Sequence, residues 1–246
     1  MYKTLLKVLI LAGAVAYLIF ALVHFNRPKR DPDCTGLDIT VYDEHNTQFI
    51  NDNEIRELLV QKKLFPEGQA LKDIDLAQME SVLVASPYID RALCFKNIEG
   101  KISIQVTPRI PVLHVINGAG EDFYIDNLGG TMPRGHHTID LPVMTGAVDR
   151  HTAGKLYSSL GVTLANDSFW AEHIGQLHVD ANGDIELTPT VGDFTIILGD
   201  TSCLEDKLSR MQTFYTQGLS QVGWNRYKTL SVKYAGQVVA TKREKK

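Results

Sequence analysis

From Val8 to Phe25 no position carries a fixed charge, and Leu5 and Leu6 extend the apolar run toward the N-terminus. A helix over that run reaches about 30 Å at about 1.5 Å per residue, the thickness of a bilayer's hydrocarbon core. The pattern predicts a transmembrane helix over 8–25 behind a short tail, 1–7. A cleaved signal peptide competes with it, but signal cores run about 7–15 residues and end at a small-residue cut. Val23, His24, Phe25 and Asn26 offer no such cut. Lys3 and Lys7 on one side face Arg27, Lys29 and Arg30 on the other, so charge alone does not orient the helix.

Residues 26–36, rich in proline and charge, read as an extended linker. Beyond it the hydrophobic period alternates between helix and strand. Ile39 and Val41 alternate with polar neighbours as on a half-buried strand. Asn51-x-x-Glu54 has the form of a capping box, with Phe49 and Ile50 as staple candidates and Ile55, Leu58 and Leu59 on one helical face. Asp75-x-x-Gln78 repeats that logic ahead of Leu76, Met79, Val82 and Leu83, and Pro87 closes the segment. Leu93 and Phe95 alternate along a strand, Glu99-Gly100 turns, and Ile102, Ile104 and Val106 alternate along the partner strand. The order is β-α-α-β-β over 37–111.

Residues 112–242 are strand-rich. Short strands are expected at 112–116, 123–125 and 141–144, with a glycine-rich turn over 127–130. Thr152 is placed to cap a helix bearing Leu156, Leu160 and Leu164. Strands at 174–179 and 185–187 flank Asn182-Gly183, a dipeptide suited to a tight hairpin, and 194–198 adds another. Ser202-x-x-Glu205 opens an amphipathic helix with Leu204, Leu208, Met211 and Tyr215 on one stripe. Leu230 and Val232 lead a penultimate strand, Ala235-Gly236 turns, and 237–241 forms the last strand before a basic tail, 243–246. The fold class expected is α+β: a transmembrane helix, a β-α-α-β-β domain, then a mixed or antiparallel sheet with packed helices.

The chain of 246 residues is 44% hydrophobic and 22% charged, which excludes a disordered protein. A net charge of -4, with basic clusters only at the ends, excludes a nucleic-acid binder. Cys34, Cys94 and Cys203 lack zinc-ligand spacing. A Cys34–Cys94 disulfide and three buried thiols both fit. No catalytic or nucleotide-binding motif is present, which argues against an enzyme and against a small-molecule substrate or cofactor. His136-His137 is the most metal-like feature, but adjacent side chains diverge, so it reads as a solvated loop. Asp180, Asp184 and Glu186 read as hairpin chemistry and not as a carboxylate pair, and Trp170 and Trp224 as packing residues.

Several short motifs fall in a recognisable order. Arg109-Ile110-Pro111-Val112 ends the first module, where the family that these motifs resemble has an acidic residue in place of Pro108. Tyr124-Ile125-Asp126, Gly129-Gly130, Pro133, Leu141-Pro142 and Thr145-Gly146 follow. Ile196-Ile197-Leu198-Gly199, then Lys207-Leu208, then Val232-Lys233-Tyr234 and Gly236 complete the series. Their order and spacing resemble the bacterial cell-division family FtsQ/DivIB over essentially the whole chain, with a POTRA-like first domain. The basic residue the resemblance calls for ahead of the Asn182-Gly183 hairpin has no match between Glu172 and Leu177.

The resemblance implies a non-enzymatic divisome scaffold anchored in the inner membrane, its soluble part periplasmic and concentrated at the septum. It implies partners among other single-pass, FtsB/FtsL-like division proteins that meet the last sheet edge. An unpaired final strand suits that role, because its backbone groups are open to strand addition. The partner-binding residues expected are Lys233, Tyr234, Gln237, Val238, Val239 and Ala240, with Lys242–Lys246 as charged guards against unwanted pairing. A membrane-tethered POTRA-type chaperone or translocation factor is the competing reading.

Overall fold

The computed structural model describes residues 2–25, 32–44, 48–135 and 139–244. Most of the linker, the pair His136-His137 and the last two lysines lie outside the described residues. The chain divides into two compact units, one of Met1–Asp38, Pro66–Asp75 and Phe95–Ser103, the other of Ile39–Phe65, Leu76–Cys94 and Ile104–Lys246.

In the first unit helix α1 spans Tyr2–Phe25. Leu9, Leu11, Tyr17, Phe20 and Leu22 on it are each more than 60% exposed. Among the described residues no helix is long and apolar enough to cross a membrane. The spanning helix expected over 8–25 is therefore not found among the described residues. The continuous stretch of described side chains, 9–22, covers only about 21 Å at the helical rise. The same unit holds a backbone clasp, in which Cys34 N–H donates to Gln69 O (2.7 Å) and Gly68 N–H donates to Cys34 O (2.9 Å). Its turn at Asn97–Lys101 is organised by the Asn97 side chain, which accepts from the amides of Glu99 and Lys101.

A three-stranded sheet is made of β1 (Leu37–Val41), β2 (Ile89–Lys96) and β3 (Ile102–Pro108), in the order β1-β3-β2. Helices α2 (Asp52–Gln61) and α3 (Leu76–Val84) pack on one another beside it. The box ahead of α2 forms as expected: Asn51 Oδ1 accepts from the amides of Asn53 and Glu54, and Glu54 accepts from the Asn51 amide (2.9 Å). Ile55, Leu59, Met79, Leu83, Ile104 and Val106 are buried. Leu93 and Phe95 are not; on β2 they are 54% and 38% exposed, while Ile89 and Cys94 are buried. Burial pushes the Cys94 thiol up to about 12, and Glu80 adds to the shift. All three cysteines are free, and Cys203 is exposed where a buried thiol was expected.

Among the described residues nine further strands form one mixed sheet. They are β4 (Pro111–Asn117), β5 (Asp122–Asp126), β6 (Thr131–Pro133), β7 (Val143–Gly146), β8 (Ile174–Val179), β9 (Ile185–Pro189), β10 (Thr195–Gly199), β11 (Tyr227–Ser231) and β12 (Val239–Lys242). The order is β12-β11-β10-β9-β8-β7-β4-β5-β6. The pairs β4–β7, β7–β8 and β10–β11 are parallel and the others antiparallel. Helices α4 (Arg150–Asn166), α5 (Ser168–His173), α6 (Leu204–Thr213) and α7 (Leu219–Val222) complete the module. A single core joins the sheet to these helices, with Leu113, Leu160, Trp170, Leu187, Leu208 and Leu230 in it. Trp170 fills that core as expected, and Trp224 packs partly buried against it.

Three local expectations fail for local reasons. Helix α4 is capped by Asp149, not Thr152, because the Asp149 carboxylate already accepts from the His151 amide (3.0 Å). Its buried face carries Gly154, Tyr157 and Gly161 with Leu160 and Leu164, leaving Leu156 exposed at 46%. The box at Ser202 does not form: the hydroxyl is spent on Asp200 (2.5 Å), and α6 starts after Cys203 in a left-handed conformation (φ 49°).

Candidate functional site

The outermost strand of the large sheet, β12, is antiparallel to β11 in the register Ser231↔Val239, Leu230↔Ala240 and Thr229↔Thr241. The strand starts two residues later than expected because Gln237 and Val238, between the turn at 235–236 and the strand, do not pair with β11. Two amides fix which way its backbone points. Val232 N–H donates to Ile197 O in β10 (2.9 Å), and Arg243 N–H donates to Arg226 O (3.1 Å). Backbone groups alternate sides along a strand, so Ser231 and Thr229 face β12, and Val239 and Thr241 face back. Ala240 and Lys242 therefore turn N–H and C=O outward, to the open edge.

The turn feeding that edge is held by one side chain. Arg210 on α6 donates to Tyr234 O (2.9 Å), Gln237 O (2.6 Å) and Val232 O (3.4 Å). Asp206, one helical turn earlier, fixes the same guanidinium from behind at 2.9 Å. Each end of the 232–237 segment is thus tied to α6 through carbonyls that a turn leaves unpaired.

The structure separates the residues expected to bind a partner. Lys233 is committed: its ammonium donates to Asp184 Oδ2 (2.6 Å) beside the β8–β9 hairpin, and that hydrogen bond raises its pKa. Tyr234 is 56% exposed. Gln237 offers a carbonyl already bonded to Arg210. Val238 and Ala240 pack partly buried against the core, while Val239 is 44% exposed on the opposite face. Of these, Ala240 combines a strand position with outward backbone groups, and Lys242 is its unforeseen counterpart. Arg210 was also missed; the Asp206–Arg210 spacing of four was the visible signal.

Asp180 and Asp184 behave as turn residues. Asp180 accepts from the amides of Asn182 (2.8 Å) and Asp184 (2.9 Å), bonds that hold its carboxyl below the usual carboxylate range, Asp184's contributing most. Gly183 alone of the Asn-Gly pair takes a positive φ, 85°, so the turn rests on the Asp180 cradle and one glycine. Among the described residues no group of His, Cys, Asp and Glu is arranged to hold a metal ion. What the open edge can do chemically is bind an extended chain.

Residues 110–241 match the model described as FtsQ/DivIB, C-terminal related, and residues 32–107 match a POTRA-like domain. No curated protein matches the chain. The two matches follow each other along nearly all of the folded sequence, and the first alone covers more than half of it. They point to a role in cell division within a family of division proteins that are generally non-enzymatic and act through protein–protein interaction. The chain belongs to the FtsQ/DivIB family.

Proposed function

We propose that this protein is a non-enzymatic divisome scaffold that recruits and bridges other single-pass division proteins of the FtsB/FtsL-like kind by strand addition at β12. The observation that carries the proposal is the outward backbone of Ala240 and Lys242 at the end of a long sheet. An edge strand with unsatisfied N–H and C=O groups gains main-chain hydrogen bonds when a partner strand aligns on it. The uncharged run at 8–25 anchors the chain in the inner membrane, the linker 26–36 sets off the POTRA-like domain at 37–111, and the β domain at 112–242 faces the periplasm at the septum.

The test is a proline scan. Ala240→Pro deletes an outward N–H while leaving the bonds to β11 in place, so it should abolish capture of the division partners with an unchanged circular dichroism spectrum. Val239→Pro removes an inward N–H and should lower thermal stability instead. Capture that survives Ala240→Pro sinks the docking site. A fluorescent fusion spread evenly around dividing cells would count against the division role, and release by alkaline carbonate against the anchor.

A further inference from the structure

The two ends of β12 present different chemistry. Where the chain enters the strand, Gly236 and Val238 face Phe214 and Gly218 across a groove of about 460 Å³. The helical ladder widens to a π turn over Phe214–Gly218, a distortion often found where a helix serves a function. Arg210 lines the groove too, but its guanidinium is spent on Asp206 and on the carbonyls of Val232, Tyr234 and Gln237. The groove therefore offers apolar contact and no free cation.

Where the chain leaves the strand, Lys228 and Lys242 line a wider recess of about 990 Å³. Arg243 in that recess is bound to Asp193 (2.7 Å) and to Tyr227 O (3.2 Å). Among the described residues, Lys228 and Lys242 have no ion-pair partner, and the remaining carboxylate in the recess is Glu244. The local balance is cationic. Lys228 is the extra residue of the irregularity between Tyr227 and Thr229, which places it outside the regular pairing.

Both features sit on one face. Val238 and Ala240 pack against the same core, and strand alternation puts Lys242 on their side. Groove and lysine are thus separated by about 13 Å along the edge. We propose that the partner is an extended segment that pairs with Ala240 and Lys242. On one face it carries an apolar side chain opposite Val238 and, four positions away, a carboxylate opposite Lys242. The proposal rests on the strand-addition reading above and adds the chemistry of the added strand. A second copy of β12 does not meet the requirement: centred antiparallel on Ala240, it sets Val238 against Lys242 and supplies no carboxylate.

The test uses the full chain and fluorescent synthetic peptides of alternating threonine and valine. One peptide carries leucine and glutamate four positions apart; a second has lysine for the glutamate; a third has aspartate for the leucine. Anisotropy should show the leucine–glutamate peptide binding most tightly. The lysine peptide should be weaker by roughly tenfold at low salt, with the gap closing as salt rises. Lys228→Glu with Lys242→Glu, exposed changes that spare the core, should reverse that preference, and Ala240→Pro should abolish binding of every peptide. If all peptides bind alike yet Ala240→Pro abolishes them, strand addition stands and the two-ended reading falls. Binding indifferent to Ala240→Pro overturns strand addition itself. Failure of every peptide to bind overturns the two-ended reading.

Discussion

On the β4–β5 side of the large sheet, Leu113, Val115, Phe123, Tyr124 and Ile125 are fully buried, whereas on the β12 side no side chain of the last strand is. The buried side carries charge in its interior and satisfies it. Asp126, 2% exposed, accepts from the amides of Leu128 (2.9 Å) and Gly130 (2.6 Å) and from Arg109 (3.2 Å). Arg109 stands where the chain passes from the first module to the second, and its amide donates to Tyr88 O (2.9 Å). Phe49, Tyr124 and Met132 form a small core of their own at this junction, flanked by Tyr88 and Leu141. The open side instead hangs a four-residue strand on one partner and one arginine. Rigidity is invested where the modules join, and the far edge is left free to exchange its pairing partner. That division of labour suits the proposed scaffold.

The contrast can be broken by mutation. Asp126→Ala strips the half-buried Arg109 of its partner and leaves two amides without their acceptor, so it should cost about 3 kcal/mol in urea denaturation. Gly154→Ala comes next. Alanine gains about 1 kcal/mol of helix propensity. A Cβ there, however, collides with the backbone carbonyl of Gly129, whose own φ of 85° holds the turn in place. The clash should win, for a net loss of about 2 kcal/mol. Arg210→Ala should cost only about 1 kcal/mol, because the freed carbonyls reach water. Its larger effect should be faster amide hydrogen exchange across 232–242 and weaker partner capture. If Arg210→Ala destabilises more than Asp126→Ala, the assignment of a rigid and an adaptable side is wrong.

The smallest effect is in acid. The hydrogen bond from Lys207, followed by those from Ser202, holds the Asp200 carboxyl well below the usual carboxylate range. A depressed folded value means the contribution is complete above the unfolded value, about 3.9, and is lost as pH falls from there through the depressed one. Asp200 is 74% exposed, so solvent screens most of it. Lys207→Met should flatten this part of the acid denaturation profile while leaving stability at neutral pH little changed, since Lys207 is itself buried.

Some of this was readable in residues close along the chain. The Asn51 box needs atoms three positions apart, and the inward face of β3 needs only alternation, so neither depends on distant contacts. Other features were out of reach. Leu93 and Phe95 alternate as well as Ile102 and Ile104 do, but which face is covered depends on where the helices pack. Helix α4 buries Gly154 and Gly161 and not Leu156, because Gly161 lies against Val112 and Leu113 and Gly154 against Gly129. Small residues were selected there by proximity, a signal that hydrophobic periodicity does not carry. The strand Thr131–Pro133 and the short helix Ser168–His173 were missed because each is too brief to show a period.

The sequence by itself determined the types of the longer elements, the β-α-α-β-β order, the strand-rich second half and the family, since these rest on local periodicity, turn residues and the spacing of short motifs. Only the tertiary structure decided that β11 lies parallel to β10, that β12 ends the sheet, and that Ala240 and Lys242 point outward. Those facts depend on hydrogen-bond register between segments far apart in the chain. A shift of one residue would turn every backbone group of β12 to the other side without changing its hydrophobic pattern by a single letter.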